Sequence, residues 1–127
     1  YLPVEVELDR RTVADQEQDA NSLLNTIRRL CQLRREHPAL GNRSDFHVVY
    51  ARPGRYPFAY LRQGEGEQVL VVVNPADRAV EVDLPAEALT SSLEMPKVLW
   101  GGEGGLRRTA AGWKITLPAV QAGVYQL

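Results

Sequence analysis

The sequence predicts a mainly β chain with one long N-terminal α-helix. The expected architecture is an antiparallel β-sandwich of about seven to eight strands, preceded by an amphipathic helix. Three observations carry that prediction. Apolar residues recur at helical spacing between residues 19 and 36. From Phe46 onward the period falls to two. Short apolar runs then alternate with glycine- and proline-containing turns and no intervening helix, the pattern of a sandwich or barrel.

Residues 1–18 read YLPVEVELDRRTVADQEQ. Pro3 and the alternating Val4, Val6 and Leu8 suggest an extended segment or loop. Residues 19–40 read as a helix and its stop. Asp19 is the expected N-cap, because its carboxylate can accept from the open N–H groups of a first turn. Leu23, Ile27, Leu30 and Arg34 fall on one line, and Leu24, Ile27 and Cys31 on the adjacent one. Arg28, Arg29, Arg34 and Arg35 flank that stripe. His37-Pro38 ends the helix, since proline disfavours the α region for the residue before it. Gly41 then resets the chain.

Residues 41–127 carry the strand signals. Phe46-Val48-Tyr50 alternates, as does Phe58-Tyr60 against Ala59-Leu61. Val69-Leu70-Val71-Val72-Val73 is a continuous run suited to a strand buried on both faces. Val80-Val82-Leu84 alternates again, followed by Val98-Leu99-Trp100, Trp113-Ile115-Leu117 and Val124-Tyr125. The turn signals between them are Arg52-Pro53-Gly54, Gly64-Glu65-Gly66, Asn74-Pro75, Gly101-Gly102 with Gly104-Gly105, and Ala111-Gly112.

The chain has 127 residues, enough for one domain with a modest core. Its net charge of −1 gives no electrostatic reason for a nucleic acid or an anionic membrane as partner. No apolar run approaches the length of a membrane span. A single cysteine, Cys31, excludes an internal disulfide and favours a reducing, cytoplasmic setting. The chain opens on Tyr1 and its only methionine is Met95, so a piece of a longer protein is expected.

The chemistry-bearing residues predict no catalytic site. Glu5 with Glu7, Asp15 with Glu17 and Asp19, and Glu65 with Glu67 form the carboxylate clusters. General acid work needs a carboxyl raised by burial, and these are expected on solvated loops and polar faces. Cys31 falls on the apolar helix face, where a thiol acts as a small buried hydrophobe. His37 suits a helix C-terminus, and His47 neighbours the first strand. None has the paired spacing of a zinc site, so neither metal nor cofactor is expected. Gly101-Gly102-Glu103-Gly104-Gly105 lacks the following helix of a phosphate loop. It reads as a flexible hairpin loop leading through Leu106-Arg107-Arg108 into another strand.

The aromatic residues raise a better candidate. Most of Tyr50, Tyr56, Phe58, Tyr60, Trp100, Trp113 and Tyr125 should pack in the core. Alternation puts Phe58 and Tyr60 on one face. Tyr56 and Trp100 stand next to turns and are the expected exposed rings. They are the candidate carbohydrate-binding residues, since the apolar faces of sugar rings can lie flat on aromatic ones.

Two blocks resemble a known family. Asp19-Ala20-Asn21-Ser22-Leu23-Leu24-Asn25, then Leu33-Arg34-Arg35 and His37-Pro38-Ala39-Leu40, is similar to the last barrel helix of the α-amylase superfamily of glycoside hydrolases. The likeness is greatest to the α-glucosidase and oligo-1,6-glucosidase branch. Val69-Leu70-Val71-Val72-Val73-Asn74, Leu117-Pro118-Ala119 and Val124-Tyr125 resemble that family's C-terminal sandwich. The resemblance implies a parent enzyme that cleaves α-glucosidic bonds with retention, using two carboxyls ~5–5.5 Å apart. Those carboxyls would lie on strands upstream of Tyr1, at the ends of a TIM barrel.

Three readings follow. The first is a non-catalytic C-terminal segment that braces the missing upstream TIM-barrel domain. It predicts that the stripe Leu23–Ile27–Leu30 is partly orphaned and free to pair with a second copy, giving a homodimer. The second is a free-standing carbohydrate-binding module for an α-glucan. The third is an interaction domain that docks through its arginine-rich helix.

Overall fold

The computed structural model describes residues 12–91 and 95–127. The extended reading of Val4, Val6 and Leu8 therefore lies outside the described residues. Two helices replace the single long one: α1 spans Val13–Gln18 and α2 spans Leu23–Glu36. Residues 13–18, read as extended or loop, are thus helical. The missed signal is Thr12. Its side chain accepts from the Asp15 N–H at 3.2 Å, while the Asp15 carboxylate accepts from the Thr12 N–H at 2.9 Å. This reciprocal capping satisfies two otherwise open donors.

The N-cap of α2 is Ser22, whose Oγ accepts from the Asn25 N–H at 3.2 Å, and not Asp19. Asp19 instead ends α1 in an extended conformation, and its carboxylate accepts from the Asn21 N–H at 2.9 Å. Ser22 and Asn25 lock the corner between the helices. Ser22 Oγ donates to the Gln16 carbonyl at 2.6 Å. The Asn25 amide donates to the carbonyls of Gln16 at 2.9 Å and Asp19 at 2.8 Å. Carbonyls at a helix end have no intrahelical partner, so side chains must supply one. The Ser-Leu-Leu-Asn motif is therefore a structural corner.

A 3₁₀ turn at Pro38–Leu40 leads from α2 into eight strands. They are β1 (Asp45–Arg52), β2 (Arg55–Gly64), β3 (Glu67–Asn74), β4 (Val80–Pro85), β5 (Lys97–Gly101), β6 (Leu106–Thr109), β7 (Gly112–Leu117) and β8 (Gln121–Gln126). One sheet has the order β1-β2-β3-β8-β5 and the other β4-β7-β6. Every pairing is antiparallel. The sheets enclose a core of Ala59, Leu61, Leu70, Val72, Trp113, Ile115, Leu117 and Tyr125. Two-sided burial of β3 explains its unbroken β-branched run: Leu70 and Val72 face that core, and Val69 faces the other side.

One further expectation needs correction. The glycine-rich loop is no flexible hairpin, because β5 and β6 belong to different sheets. It is a packed crossover around Tyr125, whose hydroxyl donates to the Gly102 carbonyl at 2.7 Å. A Cβ on Gly102 would lie 2.2 Å from that hydroxyl, and one on Gly105 2.5 Å, so neither position admits a side chain. Asn74 closes the opposite turns. It is buried, and its amide donates to the carbonyls of Arg78 at 2.9 Å and Pro118 at 2.7 Å.

Candidate functional site

The five-stranded sheet has a second face, turned away from the sandwich core. Register alone places one apolar row across all five strands: Val48, Tyr60, Val71, Val124 and Trp100 are successive cross-strand partners. Alternation puts Phe46 and Phe58 on the same face. The ring centroids of Phe46 and Tyr60 lie 5.0 Å apart, and those of Phe58 and Tyr60 5.4 Å apart. Phe58 and Tyr60 therefore share a face, as alternation predicts, but not that of the sandwich core.

This face is only partly covered. Ala39 and Leu40 of the 3₁₀ turn pack with Val69, Val71 and Val124. Between the turn, α2 and the sheet runs an open groove of about 640 Å³, lined by Leu30, Arg34, Leu40, Phe46, Tyr60 and Trp100 among others. Val48 is 55% exposed and Phe46 50%. The helix behaves likewise. Leu33 is its only buried residue, whereas Leu23 is 71% exposed. Cys31, expected to be buried, is exposed as well. The physical reason is that, among the described residues, α2 adjoins the sandwich chiefly through the 3₁₀ turn at its C-terminal end, so its N-terminal half has little facing it.

A polar strap holds that end to the sheet. The Glu67 carboxylate lies 2.5 Å from His37 Nδ1, and accepts from the Ala39 N–H at 3.2 Å and the Gln126 amide at 2.9 Å. Arg62 donates to the Gly41 carbonyl at 2.6 Å. Glu67, expected on a solvated loop, is thus largely enclosed. Its position explains this: it stands two residues before Val69, on the helix-side face of β3.

Three other carboxylates among the described residues do local work. Asp15 caps α1, and hydrogen bonds from Thr12 hold its carboxyl below the usual range. Glu17 pairs with Arg28 at 2.8 Å. Glu81 pairs with Lys114 at 2.5 Å, which lowers the Glu81 carboxyl and raises the ammonium. His47 is exposed on β1. Among the described residues, no three metal-ligating side chains converge, and no helix is long and apolar enough to cross a membrane.

Tyr56 and Trp100 line different grooves. Trp100 is half-buried in the helix-side groove, and Tyr56 is exposed beside the β1–β2 turn. β3 and β8 lie between their strands, a separation of about 14 Å at ordinary strand spacing. The sequence reading missed Phe46 and Phe58 as exposed rings; their alternation with Val48 and Tyr60 was the available signal.

Comparison with known proteins finds relatives among amylase-type enzymes and also among amino acid transporter heavy chains. Residues 46–124 match the family described as "Maltogenic Amylase, C-terminal domain". A trehalose synthase from Thermus thermophilus is 38% identical over 76 residues, covering 60% of this chain and 8% of that protein. A maltogenic α-amylase from Bacillus acidopullulyticus is 30% identical over 88 residues, covering 68% of this chain and 14% of that protein. The crystal structure of a trehalose-6-phosphate hydrolase from Bacillus licheniformis shares the fold at a TM-score of 0.71 and 23% identity, covering 91% of this chain and 20% of that one. The chain thus spans a fifth or less of each of these three proteins.

Proposed function

The chain belongs to the maltogenic amylase C-terminal domain family, within the α-amylase family of glycoside hydrolases, and from that premise we propose that it braces the catalytic barrel of a retaining α-glycosidase without itself carrying the chemistry. In this reading residues 1–18 form the approach to the helix. Residues 19–40 are the last barrel-type helix and its stop, and residues 41–127 the C-terminal sandwich. In this reading the parent acts on α-glucosidic bonds of oligo- or polysaccharides.

One observation carries the reading: the helix-side face is apolar across five strands yet unfinished. Burying a side chain of this size is worth about 1.5–3 kcal/mol, so such a face favours a partner surface. Upstream sequence is the occupant suggested by the relatives' lengths and by the family's description as a C-terminal domain. Trp100 then lies in that interface rather than on a sugar platform. A second copy meeting through the helix stripe would compete for the same face.

The test is Phe46→Ser combined with Val48→Thr in the full-length protein. The expected result is faster thermal inactivation of glycosidase activity, with the sandwich of this chain unchanged by circular dichroism. An unaltered inactivation rate would overturn the bracing role.

A further inference from the structure

A second concavity opens at the lateral edge of the sandwich. There β1 is the edge of one sheet and β4 the edge of the other. The cavity holds about 250 Å³, and Tyr50, Arg55, Tyr56, Arg78, Val80 and Glu81 contribute to its lining. No residue of α2 or of the strap lines it, so covering the helix-side face leaves it open.

Its chemistry is specific in three ways. Tyr56 keeps 49% of its surface exposed and lines both this cavity and a second, more apolar one among residues 51–58. Tyr50 contributes a second ring, already overlaid by the Arg52 guanidinium at 5.6 Å. Among the described residues, neither Arg55 nor Arg78 has a carboxylate partner, whereas Glu81 is fixed by Lys114 at 2.5 Å. The groove thus combines flat apolar rings with planar guanidinium donors. A saccharide needs that combination, because its C–H faces are apolar and its hydroxyls both donate and accept. A simple anion would find the donors but no use for the rings.

We propose that this groove binds an α-glucan chain across Tyr56, with Arg55 and Arg78 holding its hydroxyls. The choice of an α-linked glucan rests on the family reading above; the preference for a neutral saccharide rests on the groove alone.

The experiment is an amide-resolved NMR titration of this chain with maltoheptaose, with cellohexaose and inorganic phosphate in parallel. Saturable shifts are expected at Arg55, Tyr56, Arg78 and Val80, with Leu30, Tyr60 and Trp100 unmoved. Tyr56→Ala should weaken binding about three- to ten-fold, and Tyr56→Phe should retain most of it. Arg78→Ala should weaken it without altering the spectrum of the free chain. Absence of saturation at millimolar maltoheptaose overturns the proposal. So do shifts centred on Trp100, equal binding of cellohexaose, or binding of phosphate alone. The Phe46→Ser and Val48→Thr changes lie outside this groove, so failure of the bracing test leaves the sugar result standing.

Discussion

The two faces of the five-stranded sheet are built from the same strands by the same alternation, yet one is finished and the other is not. On the inner face Ala59, Leu70 and Val72 are wholly buried against the second sheet. On the outer face Tyr60, Val71 and Trp100 keep part of their surface, and Phe46 and Val48 about half. Both faces are apolar, so hydrophobicity alone does not distinguish them. What distinguishes them is whether this chain supplies the opposing layer. An apolar row that runs unbroken across five strands and is covered only in part points to a surface built for something else.

The largest effect should come from the finished face. Leu70→Ala removes a side chain that contacts both sheets, and should cost about 2–5 kcal/mol in urea denaturation. Phe46→Ala on the outer face of this isolated chain should cost far less, since half its surface is already in water. Equal costs would break the comparison, because they would mean that the outer face is packed in solution, as in a dimer.

The strap that ties the end of α2 to the outer face offers an intermediate effect. Glu67→Ala leaves the Ala39 N–H and His37 without their acceptor, and should cost about 1–3 kcal/mol. The loss should appear first as faster hydrogen exchange at Ala39 and Gly41, with the amides of Leu70 and Val72 protected as before. A uniform loss of protection would show the strap and the sandwich to be one cooperative unit.

The strap and the corner also mark where the sequence stopped being legible. The strands could be read because alternation is a local signal, and so could the helix stop at His37-Pro38. The aromatic pair Phe58–Tyr60 was placed on one face, but nothing local says which of two apolar faces meets the other sheet. Glu67 looked like a solvated turn residue because its partners are His37 and Gln126, 30 and 59 positions away. Cys31 and Leu23 looked like core because helical periodicity reports an apolar stripe, not whether a layer lies opposite. The exposure of Tyr56 is legible from its turn, while Arg55 and Arg78 come to line one cavity with it only through the meeting of two sheet edges.

The smallest effect concerns the crossover loop that closes the inner face. Burial pushes the Tyr125 hydroxyl from 10.0 up to about 12, because the folded site has no water to solvate a phenolate. The sign follows from that direction. Below pH 10.0 the phenol is neutral in both states, so the contribution is complete. Between there and about 12 the unfolded chain ionises first, and stability falls as pH rises. Lys114, whose ammonium is raised by Glu81, loses its contribution in the same direction, so the wild-type slope alone is not diagnostic. Tyr125→Phe separates the two. It should cost about 1 kcal/mol near neutrality through the lost bond to Gly102. Its urea midpoint should then decline less steeply than wild type above pH 10.0, and the two curves should converge. Parallel curves would mean that the hydroxyl reaches water, and that the glycines around it do not form a closed socket.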